Sequence, residues 1–295
     1  MNTEYSYSHK LMGSDLVFSI ITSDEQHALA ERDKALALGT AYEQRFSRFL
    51  IDSELTRLNT EKSMEVSPEF FEVFLIGLQL YRETKGVFNP LVQIERFGYT
   101  KTFENISGTT SLQEETPYNI DMESIQIDET TRRITLNEGQ RLDVGGFLKG
   151  FVAEKMARGI ENVSGAIVNL GGDIFTVGTD TSGIPFEFDI LNPISGTNET
   201  SVPVQDAGIA TSGTYRRAWD TQHGKKHHIL SEKGDTNPES DLVSATIVAP
   251  EGYRSDAYAT VAIILGSTDA QIFLKTRDTR FVLITKSGSI ISNIV

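Results

Sequence analysis

The 295-residue sequence contains no cysteine. Disulfides, thiolate nucleophiles, zinc–thiolate sites and iron–sulfur ligation are therefore all excluded. Histidine is scarce as well, and only His227 and His228 are adjacent among the five present. Because adjacent side chains usually point in different directions, we expect at most one functional histidine in this pair, as a base or a phosphate ligand.

The sequence also lacks a long apolar run and an excess of basic residues. No run reaches the ~18 apolar residues of a membrane helix. The first residues lack the basic start and apolar stretch of a signal peptide. The formal net charge is −14, which disfavours binding to nucleic acid and to anionic membranes. We therefore expect no nucleic-acid partner, no membrane insertion and a cytoplasmic location, with export possible if this chain is a trimmed form of a longer one.

Helical and strand patterns are mixed along the chain. Asp24 is a favourable N-cap for a long amphipathic helix reaching Phe49, and Ser67 with Pro68 begins a second helix that stops at Gly86. Further helices are predicted to begin near Asp143, Ser255 and Asp269. Strands and hairpins are predicted at 124–128 with 133–136, at 166–170, 186–191 and 242–249, and at 281–284 with 290–291, with loops at 176–184 and 231–241. Irregular alternation favours one α+β domain over residues 1–295 rather than a doubly wound sheet.

The segment 143–150 reads DVGGFLKG and leads into a helix. Glycines allow a phosphate to approach the backbone, helix N-terminal amides favour negative charge, and Lys149 supplies a cation. A glycine-rich turn with a surface lysine explains the same residues. Segment 166–173, AIVNLGGD, likewise fits a simple turn or a strand end that presents backbone to a ligand.

The segment 255–260 reads SDAYAT, with Ser255 as a favourable N-cap. Asp256 and Thr260 are four residues apart and therefore share a helix face, where a carboxylate and a hydroxyl suit Mg²⁺. The alternative is that Asp256 complements the helix dipole and Thr260 packs.

Taken in order, these segments resemble the flavin transferase family often called ApbE, the FAD:protein FMN transferases. The resemblance covers most of the chain and is carried by eight pieces in the family's order. They are MGS at 12–14, SELTRLN at 53–59, TKGVFNP at 84–90, DVGGFLKG at 143–150, VNLGGD at 168–173, ATSGTYR at 210–216, HHIL at 227–230 and SDAYAT at 255–260.

This resemblance implies an α+β, T-fold-like domain with mixed or antiparallel sheets, packed helices and FAD in a cleft between subdomains. The implied metal is Mg²⁺, held by the side chains of Asp256 and Thr260 and the carbonyls of Gly146 and Ala259. The implied FAD contacts are Met12, Phe49, Val87, Phe88, Asn89, Asp143, Lys149 and Ile229. His228 matches a histidine suited to proton transfer, and Asn89 stands where the family usually has aspartate.

The implied reaction transfers the FMN half of FAD to a threonine hydroxyl of an acceptor flavoprotein and releases AMP. Mg²⁺ and Lys149 would neutralise the pyrophosphate, which explains how an acidic protein accepts a dinucleotide. Two alternatives stay open: hydrolysis of FAD to FMN and AMP, and flavin binding or delivery without turnover.

Overall fold

The computed structural model describes residues 2–93, 96, 118–215, 218–221, 224–227, 229–231, 233–234 and 236–294. The chain divides into two compact units. Unit 1 comprises Met1–Glu43, Phe147–Gly213 and Ser240–Val295, and unit 2 comprises Gln44–Gly146 and Thr214–Glu239. That residues 1–295 act as a single domain stays a prediction.

The structure describes five α-helices, and capping side chains satisfy free backbone amides at the beginning of the first three. Their bounds are α1 Glu25–Phe46, α2 Glu54–Glu61, α3 Pro68–Glu83, α4 Leu148–Arg158 and α5 Gly252–Lys275. Asp24 Oδ1 accepts from the amide of Gln26 at 2.9 Å, and Ser67 Oγ accepts from that of Phe70 at 3.2 Å. Both predicted N-caps are thus confirmed. The first helix ends three residues before Phe49, because residues 47–53 form turns.

The main element of unit 1 is an eight-stranded antiparallel sheet in the order β1-β2-β6-β7-β10-β13-β14-β15. Its strands are β1 Thr3–Leu11, β2 Ser14–Thr22, β6 Gly165–Leu170, β7 Asp173–Gly178, β10 Gly208–Gly213, β13 Leu242–Ala249, β14 Arg280–Thr285 and β15 Ile290–Ser292. The strands are antiparallel, and the helices do not connect parallel strands in a βαβ repeat. This arrangement confirms the α+β class. Strand β7 covers the beginning of the predicted loop 176–184, so that part of the loop prediction is wrong.

Helices and a hairpin bury the sheet of unit 1. Helix α5 packs on β10 and β13, and α4 packs on β6 and β7. A hairpin of β8 (Phe186–Leu191) and β9 (Asn198–Val204) contributes Ile190, Val202 and Val204 to an apolar cluster with residues of β10, β13 and β14. Every residue of β13 is buried, as expected for a strand covered on both faces.

Helix α5 covers the two helices predicted near Ser255 and Asp269, and its two segments confirm that prediction. It is interrupted at Gly266, where φ is 76° and ψ is 171°, so two helical segments follow one another across a kink. By length and composition α5 could span a membrane, but 44% of its most apolar window is buried in the protein. A core helix has the same composition, and the absence of membrane insertion stays a prediction.

Unit 2 is built from helices α2 and α3 with small antiparallel elements. These are the sheet β3-β5-β4, formed by Ser63–Glu65, Arg133–Thr135 and Gln126–Asp128, and the hairpin β11 Ala218–Thr221 with β12 Gly224–His227. Ile127 pairs with Ile134, which confirms the predicted hairpin. The rings of Phe46 and Phe70 stack at 5.0 Å between centroids, and both side chains are buried in the core.

Candidate functional site

The predicted metal-ligand residues Asp256, Ala259 and Thr260 lie in the first half of α5. The helix begins at Gly252 with Glu251 at the N-cap position, so the prediction that Ser255 is the N-cap is wrong. Ser255 Oγ instead donates to the carbonyl of Gly252 at 2.8 Å. The shift leaves Asp256 and Thr260 four residues apart on one helix face, as predicted.

A close helix crossing brings the glycine–lysine segment to Asp256. The amide of Gly150 donates to Asp256 Oδ2 at 3.2 Å, across 106 residues of sequence. A side chain at Gly150 would place Cβ 2.2 Å from the carbonyl oxygen of Gly252, so glycine permits this approach. Because α4 begins at Leu148, the Asp256 carboxylate accepts from one of the first free amides of that helix.

Asp256 is 6% exposed, and its bond to the Gly150 amide uses one acceptor position of the carboxylate. An ionised carboxylate offers about four acceptor positions. Capping α4 and binding a cation are therefore compatible roles for the same side chain.

Strand β10 contributes the segment 210–213 to the same place. Ser212 Oγ lies 3.1 Å from Thr260 Oγ1, and Ser212 is 9% exposed. Three predicted segments, far apart in sequence, thus meet around the beginning of α5. Sequence reasoning had not singled out Ser212, whose only signal is its place in the ATSG segment.

Lys149 forms an ion pair with Asp173, the first residue of β7. Asp173 follows Gly171 and Gly172, whose φ values of 69° and 99° form the turn between β6 and β7. The segment therefore forms a turn, which also delivers a buried carboxylate to the lysine, and the presentation of its backbone to a ligand stays a prediction. Sequence reasoning did not assign a role to Asp173.

Both aspartates of this part of unit 1 are buried, with Asp173 5% exposed and Asp256 6% exposed. The ion pair with the Lys149 ammonium offsets the cost of burying the Asp173 carboxylate.

The oxygen donors fit Mg²⁺ by type. A carboxylate and a hydroxyl on α5, with backbone carbonyls, are the hard ligands that this ion prefers. Within the part of the chain that the structure describes, no group of three or more His, Asp or Glu side chains could hold a metal. A site with one carboxylate would not form such a group, and the Mg²⁺ ligands stay a prediction.

Met12 lies at the turn between β1 and β2, also in unit 1. Met12 and Gly13 have φ values of 50° and 65°, the signs required by a two-residue hairpin turn of type I′. The amide of Met12 donates to Glu43 Oε1 at 2.7 Å. The half-buried methionine is therefore held in a fixed turn. Its contact with FAD stays a prediction.

In unit 2, the segment 143–146 is a turn and not the beginning of a helix, so the helix prediction near Asp143 is wrong by five residues. Asp143 Oδ1 accepts from the amide of Gly145 at 2.8 Å, and Oδ2 accepts from Arg48 Nη1 at 2.8 Å. This bond from a backbone amide two residues later explains why the chain turns at Asp143. A Cβ at Gly146 would lie 3.2 Å from the ring of Phe88, which places two predicted residues together.

The predicted residues Val87, Phe88 and Asn89 follow α3. Thr84 Oγ1 accepts from the amide of Phe88 at 3.0 Å, and Asn89 Nδ2 donates to the carbonyl of Ile120 at 2.8 Å. Asn89 thereby ties the loop after α3 to the segment before the 3₁₀ turn at Met122–Ser124.

A cavity of about 440 Å³ adjoins Asn89. Its lining residues are Tyr81, Lys85, Gly86, Asn89, Ile120 and Asp121. Burial raises the pKa of Tyr81, and the nearby carboxylates of Asp121 and Glu123 add to the effect, so the phenol is neutral at physiological pH. The cavity is thus polar, with hydrogen-bonding groups of both kinds.

The remaining predicted residues are Ile229, His228 and Phe49. Ile229 is 2% exposed, and its carbonyl accepts from Asn237 Nδ2 at 2.7 Å. His228 lies outside the described residues. Phe49, by contrast, is 46% exposed at the turn after α1.

The predicted site residues therefore fall into two sets. Unit 1 contains Met12, Lys149, Asp256, Ala259 and Thr260. Unit 2 contains Phe49, Val87, Phe88, Asn89, Asp143, Gly146 and Ile229.

Comparison with known proteins supplies a family. A model described as the ApbE family matches residues 1–283. The chain is 27% identical to a FAD:protein FMN transferase of Klebsiella pneumoniae (strain 342), over 98% of this chain and 92% of that protein. It is 26% identical to a FAD:protein FMN transferase of Escherichia coli (strain K12), over 95% of this chain and 83% of that protein.

Solved structures show the same fold. The apo flavinyl transferase ApbE of Pseudomonas stutzeri matches with a TM-score of 0.85 at 16% identity, over 99% of this chain and 95% of that one. The ApbE protein of Thermotoga maritima matches with a TM-score of 0.86 at 20% identity, over 98% and 97% of the two chains.

Proposed function

Because the chain belongs to the ApbE family, we propose that it transfers the FMN half of FAD to a threonine hydroxyl of an acceptor flavoprotein, with Mg²⁺, and releases AMP. Curated relatives that align over nearly the whole chain have the name FAD:protein FMN transferase. The observation that carries the proposal is a pair of contacts on one face of α5. The amide of Gly150 donates to Asp256 Oδ2 at 3.2 Å, and Ser212 Oγ lies 3.1 Å from Thr260 Oγ1. Three family segments with hard oxygen donors and a helix N-terminus converge there.

The residues of unit 1 would bind the diphosphate. In the proposal, Asp256 and Thr260 hold Mg²⁺ together with the carbonyls of Ala259 and Gly146. When bound, Mg²⁺ supplies a Lewis acid that stabilises negative charge on phosphoryl oxygens. Lys149 adds a cation for a phosphate oxygen. Its ion pair with Asp173 fixes where the ammonium lies before FAD arrives.

The residues of unit 2, with Met12, would bind the rest of FAD. Aromatic and apolar groups suit its ring systems, and amide and carboxylate groups suit its sugars and ring edges. The proposed contacts are Met12, Phe49, Val87, Phe88, Asn89, Asp143 and Ile229.

The reaction replaces the phosphoanhydride bond of the pyrophosphate with a phosphoester bond to threonine. The threonine oxygen of the acceptor forms a bond to the FMN phosphorus, and the bond from that phosphorus to the bridging oxygen of the pyrophosphate breaks. AMP leaves with the bridging oxygen, and the threonine proton passes to His228 as the proposed base. With water in place of threonine, the same exchange would give free FMN and AMP.

One assay tests the proposal against both alternatives. The full chain is incubated with FAD, Mg²⁺ and an acceptor protein that carries a threonine flavinylation motif, with a threonine-to-valine acceptor as matched control. Flavin fluorescence on the protein band and AMP in equal amounts are expected with the threonine acceptor only, and chelation with EDTA should stop both. AMP with free FMN would instead indicate hydrolysis, and bound FAD without AMP would indicate a binding protein.

A further inference from the structure

Arg48 lies at the turn after α1 and contacts two predicted FAD-binding residues. Its Nη1 donates to Asp143 Oδ2 at 2.8 Å, across 95 residues of sequence. Its guanidinium carbon lies 4.9 Å from the centroid of the Phe49 ring. Only 19% of the arginine side chain is exposed, so these contacts hold it close to the protein.

The contact with Asp143 completes the hydrogen bonding of a turn. Asp143 Oδ1 accepts from the amide of Gly145, and its own amide donates to the carbonyl of Pro90 at 2.8 Å. With Oδ2 bound to Arg48, both carboxylate oxygens are engaged. The direction of this carboxylate is therefore set partly by a residue from a distant part of the sequence.

The contact with Phe49 holds an exposed ring. Phe49 is 46% exposed and is followed by Leu50 at 37% and Ile51 at 82%. An exposed phenyl ring ordinarily samples several rotamers, but a guanidinium over its face favours one of them. The planar guanidinium can contact the ring and bond the carboxylate at once, which a lysine ammonium does less well.

We infer that Arg48 is a positioning residue for FAD binding. It couples the Phe49 ring to the Asp143 carboxylate, so that both groups are held in the arrangement that receives FAD. This role rests on the proposed function, because it is FAD that both residues are proposed to contact. The competing explanation is an ion pair that only stabilises unit 2, as many surface ion pairs do weakly.

The test compares Arg48→Met and Arg48→Lys with a matched control, Arg133→Met. Arg133 also pairs with one carboxylate in unit 2, through Nη2 to Glu65 Oε1 at 2.9 Å. Neither residue of that pair is a predicted site residue. FAD affinity is measured by flavin fluorescence in EDTA, and KM and kcat by AMP release in Mg²⁺. Thermal unfolding and circular dichroism report on the fold.

We expect Arg48→Met to raise the Kd and KM for FAD about tenfold, which corresponds to about 1.4 kcal/mol, with kcat changed less than about twofold. Arg48→Lys should weaken binding about threefold, because the charge is kept and the planar contact is lost. Arg133→Met should bind FAD as the original chain does.

A double variant tests the coupling itself. If Arg48 acts through the ring, Phe49→Leu and Arg48→Met combined should weaken binding little more than either alone, because they remove one shared interaction. Effects that multiply would overturn the coupling. Unchanged FAD affinity in folded Arg48→Met, with only a lower Tm, would overturn the positioning role. Failure of the unaltered chain to bind FAD in either buffer would instead overturn the proposed function and this role with it.

Discussion

The two units carry predicted site residues of different chemistry. In unit 1 they include the carboxylate of Asp256, which is 6% exposed, and the hydroxyl of Thr260, both on α5 where α4 and β10 meet it. In unit 2 they lie in turns and loops, and their exposure differs widely, with Ile229 at 2% and Phe49 at 46%. Groups that hold a cation need fixed geometry in a dry environment, whereas groups that contact a ring system can come from loops on a scaffold.

This difference predicts a division of kinetic effects. Substitutions around the beginning of α5 should lower turnover and metal affinity, because they touch groups proposed to act on the reacting phosphates. Substitutions in the turns of unit 2 should weaken FAD binding and leave turnover at saturation closer to normal. Four sets of variants test this division, beginning with the largest expected effect.

Asp256→Asn should have the largest effect on turnover. Asparagine keeps the shape and can still accept from the Gly150 amide, so the fold should persist, while the only carboxylate of the proposed metal site is lost. We expect Mg²⁺-dependent AMP release to fall at least about a hundredfold. Steady-state rates across a Mg²⁺ titration measure this effect.

The matched control is Asp269→Asn, an exposed aspartate on the same helix. It should release AMP at the normal rate. Full activity of Asp256→Asn would contradict the proposal that Asp256 binds the metal. It would also contradict the expectation that substitutions around the beginning of α5 lower turnover.

Thr260→Val and Ser212→Ala distinguish a ligand from its neighbour. The hydroxyls lie 3.1 Å apart, but only Thr260 shares the helix face of Asp256. Thr260→Val should raise the Mg²⁺ concentration needed for half-maximal activity about tenfold to a hundredfold, and Ser212→Ala about threefold, because it removes only a supporting hydrogen bond. Equal effects of the two variants would contradict this assignment.

Asn89→Asp introduces the residue that is usual in the family. In this chain it should lower the stability of the fold and weaken the binding of FAD. The amide of Asn89 donates to the carbonyl of Ile120, and an ionised carboxylate cannot donate. The loss of this bond should lower the free energy of unfolding by about 1–2 kcal/mol and raise the KM for FAD a few-fold, with kcat nearly unchanged.

Asn89→Ala loses the bond to Ile120 without adding a charge beside Asp121 in the cavity lining, and it also loses the bond that Asn89 Oδ1 accepts from the amide of Leu91 at 2.9 Å. Urea unfolding and FAD-dependent kinetics measure both variants. A lowered kcat with normal stability and KM would contradict the division between the units.

Local patterns predicted the elements whose signals are local. Ser67 with Pro68 marks a helix N-terminus because capping involves residues three apart, and the pairing of 126–128 with 133–135 follows from alternation around a short turn. The first hairpin was missed, since β1 exposes every second residue at the sheet edge and therefore appears polar in sequence.

The site could be predicted only in part, for a similar reason. The motifs identified Asp256, Thr260 and Lys149 as candidates, but the contacts of Asp256 with Gly150 and of Arg48 with Asp143 join residues 106 and 95 positions apart. Contacts at such separations depend on how the elements pack, which no local pattern encodes. Arg48 and Asp173 were missed because their roles exist only in contacts of this kind, with Asp143 and with Lys149 respectively.

The smallest predicted effect concerns Asp241, a residue of unit 1 that lies beside the break in α5 at Gly266. Asp241 Oδ1 accepts from the amide of Ser267 at 2.8 Å and Oδ2 accepts from its hydroxyl, immediately after Gly266. These hydrogen bonds, led by that from the Ser267 hydroxyl, lower the pKa of Asp241. Asp241→Asn keeps an acceptor oxygen but removes the charge, so it should reduce stability by roughly 0.3–1 kcal/mol at neutral pH, the usual value of a negative charge at a helix N-terminus, without changing AMP release.

The pH dependence of this loss has a defined sign. Because the folded pKa of Asp241 is lower than the unfolded value of about 3.9, its contribution is complete above that value and disappears as pH falls through the folded pKa. Urea unfolding between neutral pH and about pH 3 should show the two chains converging as pH falls. A constant difference would mean that the carboxylate charge does not cap the second segment of α5. Altered AMP release would mean that the chemistry of unit 1 extends beyond the kink at Gly266.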